Sequence, residues 1–283
     1  MLKQKRVAAI HDISCFGKCS LTVALPIISA AGIEVSAIPT AVLSTHTGDF
    51  SGYTYRDLTD DILPIIDHWQ SLNLSFDAVY TGFLGSFEQI DIVSGIFDRL
   101  KKPDNLIIVD PVMADNGCLY SIFPDNFPAG MRKLCEKADV IVPNITEAAL
   151  LLEEPFMEGP YTQSYIEDLL FRLAALGPKK VILTGVYFED TQLGAVSYDD
   201  HSKKVSYAFS KRIDGYYHGT GDVFASALIA CLLNGADLDK AIRVAVDFTV
   251  RSIERTKEAG TDIRFGVNFE AGLHNLVKDI NVL

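Results

Sequence analysis

The plainest chemical signal in the chain is the octet Gly215-Tyr216-Tyr217-His218-Gly219-Thr220-Gly221-Asp222, followed by the helix-forming run Val223-Phe224-Ala225-Ser226-Ala227-Leu228-Ile229-Ala230. Glycines without a Cβ let the backbone fold tightly against a ligand. A helix start adds unpaired N–H groups and the positive end of the helix dipole, so the segment suits an anion. A carboxylate at the rim of such a pocket repels phosphate. Asp222 makes sense there if it takes a proton from a hydroxyl that attacks the phosphate. The same residues also suit an ordinary helix start, with Asp222 held in the first turn by the dipole alone.

Two further acids follow apolar runs. Asp110 opens Asp110-Pro111-Val112-Met113 after Leu106–Val109, and Glu147 ends Asn144-Ile145-Thr146-Glu147 after Val140–Val142. Two carboxylates near one phosphate site point to Mg²⁺, held directly or through water. A second reading is open for each. Asp110 suits a turn before proline, and Asn144 with Glu147 forms a capping-box pattern.

Positioning these residues needs a scaffold with a fixed polarity. Val7–Ile10, Val35–Ile38, Ala78–Tyr80, Leu106–Val109, Val140–Val142 and Val181–Leu183 read as buried strands, without polar alternation. Between them Ser20–Ala31, Leu58–Leu72, Glu88–Leu100, Phe127–Lys137, Thr146–Leu152 and Tyr165–Leu176 read as helices. Gln192–Tyr198 and Lys204–Phe209 read as an antiparallel pair at a sheet edge, and Asp222–Leu233 and Leu238–Arg255 as two closing helices. This alternation predicts an α/β fold, three-layer α/β/α around a mostly parallel sheet, in one domain spanning 1–283. In such sheets ligands lie beyond the carboxyl ends of the strands. The residues expected there are His11-Asp12, Thr81-Gly82, Asp110-Pro111, Asn144 with Glu147, and Thr184-Gly185.

Composition narrows the function classes. With 48% hydrophobic and 22% charged residues over 283 positions, the chain can bury a core. A net charge of −12 argues against nucleic acid as a main partner, since phosphate backbones demand a basic face. No uncharged apolar run approaches the roughly 18 residues of a membrane span. The run after Met1-Leu2-Lys3-Gln4-Lys5-Arg6 is too short for a secretory leader. Cys15, Cys19, Cys118, Cys135 and Cys231 lack zinc-ligand spacing, so free thiols in a reducing, cytoplasmic setting are expected. Cys15 and Cys19 read as small buried hydrophobes, Lys18 as either a ligand contact or a solvated loop residue, and His46 and His218 as hydrogen-bonding groups. The aromatic Asp49–Tyr55 segment suits a substrate flap, about 44–56, or a dimer contact.

Read together, the segments Ala9-Ile10-His11-Asp12-Ile13-Ser14-Cys15-Phe16-Gly17, Ser44-Thr45-His46-Thr47-Gly48, Tyr80-Thr81-Gly82-Phe83-Leu84-Gly85, Asp110–Met113, Asn144–Glu147 and Gly219–Asp222 resemble the pyridoxal (vitamin B6) kinase branch of the ribokinase-like superfamily. The resemblance covers nearly the whole chain. It implies ATP-dependent phosphorylation of the 5′-hydroxymethyl group of pyridoxal, pyridoxamine or pyridoxine. It also implies Asp222 as the base, with the amides of Gly219, Thr220 and Gly221 stabilising the transferring phosphoryl. Asp110 and Glu147 would organise Mg²⁺. Asn144, Thr184 and Gly185, with Gly219 and Gly221, would lie along the nucleotide, and Asp12, Thr47 and Phe83 would line the vitamer pocket. A monovalent cation such as K⁺ and a homodimer belong to the same implication. Two positions depart from the pattern: Asp12 stands where better-known relatives usually carry serine, and Phe83 where they often carry tyrosine. No Walker-type Gly-x-x-x-x-Gly-Lys-Ser/Thr is present, as suits this superfamily. A hydroxymethylpyrimidine kinase of the same fold and a non-catalytic nucleotide or vitamer sensor are the rival readings. The first conflicts with the Gly- and Ser-poor His11–Ser14, the second with the presence of Asp222, Asp110 and Glu147 together.

Overall fold

The computed structural model describes residues 4–280. Met1–Lys3, part of the segment weighed above as a leader, lie outside them. The chain forms two compact units, one of residues up to Ala78 together with Ile213 onward, the other Val79–Arg212.

In the first unit, β1 (Arg6–Ser14), α1 (Leu21–Ala30) and β2 (Glu34–Leu43) form a strand–helix–strand segment, with β1 and β2 parallel from Arg6↔Glu34 onward. Val7, Ala8, Ala9 and Ile10 are fully buried, as a strand covered on both faces requires. β1 continues four residues past its apolar run. The register slips between His11 and Ile13, where β2 advances three residues, from Pro39 to Val42, against two in β1, and Asp12 lies within the strand and not after it. β3 (Tyr55–Asp57) pairs antiparallel with the end of β2, and α2 (Thr59–Ser71) follows.

In the second unit the elements are β4 (Ala78–Thr81, beginning at the boundary), α3 (Phe87–Leu100), β5 (Leu106–Val109), the small hairpin β6 (Ala114–Asp115) and β7 (Cys118–Leu119), α4 (Phe127–Glu136), β8 (Val140–Ile141), α5 (Ile145–Leu151), α6 (Gln163–Ala175), β9 (Lys180–Val186), β10 (Gln192–Asp199) and β11 (Lys204–Lys211). Strand order runs β11-β10-β9-β8-β5-β4, with β5, β8 and β9 parallel and the β10–β11 pair antiparallel at the edge, as the sequence predicts. Thr184 and Gly185 do not follow β9 but belong to it. Thr184 pairs with Ala195 and Val186 with Gly194, and the register shift there leaves Gly185 bulged at φ 74°. The strand lengthens because β10 offers it a partner beyond the apolar core.

The chain then returns to the first unit with α7 (Thr220–Leu233), α8 (Leu238–Glu258) and a further helix, α9 (Leu273–Ile280), which the sequence pattern did not reveal. α7 packs on α1 and on α8. Its residues Val223–Cys231 are all buried, which explains why this run is apolar all round. The parallel strands flanked by helices are the α/β architecture expected. Among the described residues no helix is long and apolar enough to cross a membrane, and all five cysteines are free thiols.

Candidate functional site

In the first unit the candidate chemistry is built on the start of α7. Gly219 is the N-cap, at φ 74°. A Cβ there would lie 2.0 Å from the Lys18 carbonyl oxygen, so only glycine lets the two loops meet. Thr220, Gly221 and Asp222 form the first turn, whose amides have no partner one turn back. Gly221 has open space around its Cα, as backbone that must face a ligand needs.

Asp222 keeps part of its surface accessible. Its carboxyl is nonetheless pushed up to about 7: desolvation raises it, the Ser20 amide opposes this, and the Asp12 carboxylate adds to it. An acid that titrates near neutrality is matched to general-base work. Asp12 is 4% exposed. Burial pushes its carboxyl up as well, opposed by the Ser20 and Ser14 hydroxyls; Ser14 Oγ donates to Asp12 Oδ2 at 3.2 Å. Asp12 and Asp222 are thus electrostatic neighbours, which neither motif disclosed alone.

Around them, several residues settle into structural roles. Lys18 Nζ donates to Asn268 Oδ1 at 2.9 Å and to Glu270 Oε2 at 3.0 Å, so it ties a loop to the C-terminal segment and is not a freely solvated side chain. Cys15 is exposed, contrary to the buried reading, because β1 ends one residue before it. Cys19 is half-buried, and burial beside Asp222 and Asp12 raises its thiol well above the usual range. It is a poor nucleophile.

The flap segment also belongs to this unit. Thr47 is exposed in it. His46 Nε2 lies 2.6 Å from the Arg264 carbonyl oxygen, and Gly48 N donates to His46 Nδ1 at 3.2 Å. These two bonds select the neutral ring with its proton on Nε2, and burial lowers the His46 pKa in the same sense. His218 Nε2 meets Asp49 Oδ2 at 2.8 Å, and Phe50 stacks on Phe265. The histidines serve as hydrogen-bonding groups, as read from the sequence.

The second unit gathers its polar residues at neighbouring strand ends. Asp110, 6% exposed, follows β5, and its amide donates to the Thr81 carbonyl at 2.9 Å. Asn144 caps α5 just after β8 and bridges to Thr184 of β9. Its Nδ2 donates to the Ala114 carbonyl at 2.8 Å. The capping box forms in full. Asn144 Oδ1 accepts from Glu147 N, and Glu147 Oε2 accepts from Asn144 N, both at 2.9 Å. Glu147 Oε1 also accepts from Met113 N at 3.2 Å. Burial pushes the Glu147 carboxyl up, against these amides and with Asp115 adding to the rise. Asp115 stands on the small β6–β7 hairpin, an acid that sequence reasoning missed because two-residue strands leave no pattern. Phe83 is half-buried, its ring 5.6 Å from that of Phe123.

A magnesium ion suits this donor set. Among the described residues no three His, Cys, Asp or Glu side chains converge into a cage. Mg²⁺ keeps several waters and takes one or two carboxylates together with substrate phosphates. Asp110 and Glu147 would supply that number of hard oxygen ligands. Since both Glu147 oxygens already accept amides, its share would pass through water.

Known proteins resemble this chain over most of its length. The phosphomethylpyrimidine kinase family model matches residues 34–266. A Bacteroides thetaiotaomicron protein, described provisionally as a phosphomethylpyrimidine kinase and crystallised with pyridoxal, is 40% identical. It has a TM-score of 0.92, with 97% of this chain and 96% of that one covered. Pyridoxal kinase from Lactobacillus plantarum is 31% identical, with a TM-score of 0.88 over 98% of this chain and 97% of that one. Pyridoxal kinase PdxY of Pasteurella multocida is 29% identical over 252 residues, 82% of each chain.

Proposed function

The chain belongs to the phosphomethylpyrimidine kinase family, in the ribokinase-like superfamily, and from that membership we propose that it transfers the γ-phosphoryl group of ATP to the 5′-hydroxymethyl group of B6 vitamers. The observation that carries this reading is Asp222. It is an acid pushed up to about 7, in the first turn of a helix whose N-cap is a glycine in the left-handed region.

On this reading Asp222 accepts the hydroxyl proton as the vitamer oxygen bonds to the γ-phosphorus. The bond from phosphorus to the β,γ-bridging oxygen breaks, and ADP leaves with that electron pair. Charge on the transferring phosphoryl meets the amides of Gly219, Thr220 and Gly221, fixed before the reaction begins. Asp12, Thr47 and Phe83 hold the vitamer, and Asn144, Thr184 and Gly185 lie along the nucleotide. Asp110 and Glu147 would hold Mg²⁺, which neutralises phosphate charge when bound. The segment at about 44–56 closes as a flap and excludes water, and the chain acts as a homodimer, which light scattering in solution checks.

The buried, hydroxyl-bonded Asp12 qualifies how the ring is recognised. Burial disfavours its ionised form in the free protein. A bound pyridinium favours the carboxylate and gains a charge-assisted hydrogen bond.

The test is ADP release measured with pyridoxal, pyridoxamine, pyridoxine and hydroxymethylpyrimidine, each with and without K⁺. Turnover of B6 vitamers is the expected result. Turnover of hydroxymethylpyrimidine alone would install the pyrimidine reading that the family's name favours, and turnover of nothing would leave a sensor.

A further inference from the structure

His218 immediately precedes Gly219, the N-cap of α7, and its side chain is turned to the flap. Its Nε2 donates to Asp49 Oδ2 at 2.8 Å. The imidazole is 11% exposed, with the His46 ring 4.9 Å away and the Tyr216 ring edge-on at 5.0 Å. The flap backbone lies against it: a Cβ on Gly48 would come within 2.7 Å of His218 Cε1. Asp49 stands at φ 60°, in the left-handed region, a conformation that surrounding contacts must hold in a residue with a side chain.

A second set of contacts seats the flap elsewhere. His46 Nε2 donates to the Arg264 carbonyl, the Arg264 guanidinium lies 5.7 Å over the Phe50 ring, and Phe50 stacks on Phe265 with centroids 6.4 Å apart. Phe16 adds an edge-on contact to Phe265 at 4.9 Å. These contacts fix the flap on the turn Ile263–Phe265 and do not involve α7. The tie to α7 is the Asp49–His218 pair. His46 cannot take over that tie, because both its nitrogens are engaged, Nε2 by Arg264 and Nδ1 by the Gly48 amide. Thr47 lies between the two anchors in His46-Thr47-Gly48-Asp49. Its placement relative to the first turn of α7 therefore depends on the pair.

We infer that His218 is a positioning residue that, through Asp49, holds the flap in register with the anion loop, so that the vitamer pocket and the phosphoryl site close as one piece. The inference rests on the reading of that site as a B6-vitamer kinase, with Thr47 on the vitamer and Gly219–Gly221 on the phosphoryl group. It gives His218 a task separate from the base.

The experiment is a double-mutant cycle. His218→Phe keeps a ring beside His46 and removes the hydrogen bond. Asp49→Gly removes the carboxylate and suits the backbone angle. Each should raise KM for pyridoxal about 2- to 10-fold, the range for one hydrogen bond, and leave KM for ATP unchanged. Each should also speed hydrogen exchange across residues 45–55 of the free protein. The double variant should be little worse than either single one. That last result separates loss of the pair from the looseness a glycine brings by itself, which would persist without His218. Asp49→Asn still accepts from Nε2 and should restore most of the wild-type behaviour. Asp49→Gly with wild-type flap exchange would overturn the inference even if KM rises, because Asp49 would then act on the vitamer directly. Faster exchange with an unchanged pyridoxal KM would overturn it too, as would effects that multiply in the double variant. If His218→Phe fails to fold, Asp49→Gly and Asp49→Asn still decide, since Asp49 lies at the surface. If the wild-type protein turns over no vitamer, the functional reading fails on its own. The exchange cycle then stands alone: faster exchange in both single variants with no further gain in the double supports the pair, and any other pattern overturns it.

Discussion

Asp222 and Glu147 are acids of the same chemical kind, each at the third position of a helix and each pushed upward by burial, yet their surroundings differ. Glu147 is 3% exposed, with one carboxylate oxygen on Asn144 N and the other on Met113 N. Asp222 keeps accessible surface, and the Asp12 carboxylate adds to the rise that burial gives it. A carboxylate whose oxygens are both spoken for orients the backbone. One with a lone pair still facing outward can receive a proton. Burial alone therefore does not mark a base; the count of committed oxygens does.

The sharpest way to break this contrast is to neutralise each acid in turn. Asp222→Asn keeps the shape and removes the basic oxygen. Its kcat for pyridoxal should fall by about 10²–10⁴, the usual worth of general-base catalysis, with little change in KM. Steady-state ADP release checks it, and a variant keeping more than half of wild-type kcat would end the assignment.

Glu147→Gln should act more mildly and on a different axis. The amide side chain still accepts from one backbone N–H but gives up its charge. A titration with Mg²⁺ should then need a several-fold higher concentration for half-maximal rate. Glu147→Ala removes the box as well, and should lower stability by about 0.5–2 kcal/mol in a denaturant or thermal melt. An unchanged Mg²⁺ titration in Glu147→Gln would confine Glu147 to its capping role.

The remaining effect is a gain in stability. The Asp222 carboxyl stands higher in the folded chain, about 7, than its ordinary value of 3.8. The folded state thus binds the proton more tightly. The resulting stabilisation is full below the ordinary carboxyl range and is lost as pH rises through about 7. Asp222→Asn escapes that loss. It should be more stable than wild type at pH 8 by roughly 1–3 kcal/mol, discounted for the carboxyl's residual exposure, and the advantage should vanish near pH 4. Melting curves at the two pH values measure it. Equal stability at both would mean that Asp222 is solvated like a surface acid.

Much of the scaffold behind this contrast is legible in the sequence. Fully buried parallel strands write themselves as short apolar runs, and Val7–Ile10 or Leu106–Val109 carry no other plausible meaning. The capping box at Asn144–Glu147 was visible as a spacing. Strand ends were harder, because they are set by partners. Asp12 lies inside β1 because pairing with β2 resumes past a register slip, and Thr184 inside β9 because β10 continues beyond the core. β3 is three exposed residues, Tyr-Arg-Asp, which read as loop in any frame. Ser20 left no trace: a serine before an apolar helix reads as a simple N-cap, and only its backbone angles, φ 52° and ψ −128°, and the missing cap bond show otherwise.

The central claim, that Asp222 is the base and Glu147 is not, is tested most directly by kcat/KM for pyridoxal measured from pH 5 to 9 in wild type, Asp222→Asn and Glu147→Gln at saturating ATP and Mg²⁺. We expect wild type and Glu147→Gln to share an acid limb with a midpoint of about 7, and the residual activity of Asp222→Asn to lack it. An acid limb that survives in Asp222→Asn and disappears in Glu147→Gln would contradict the account.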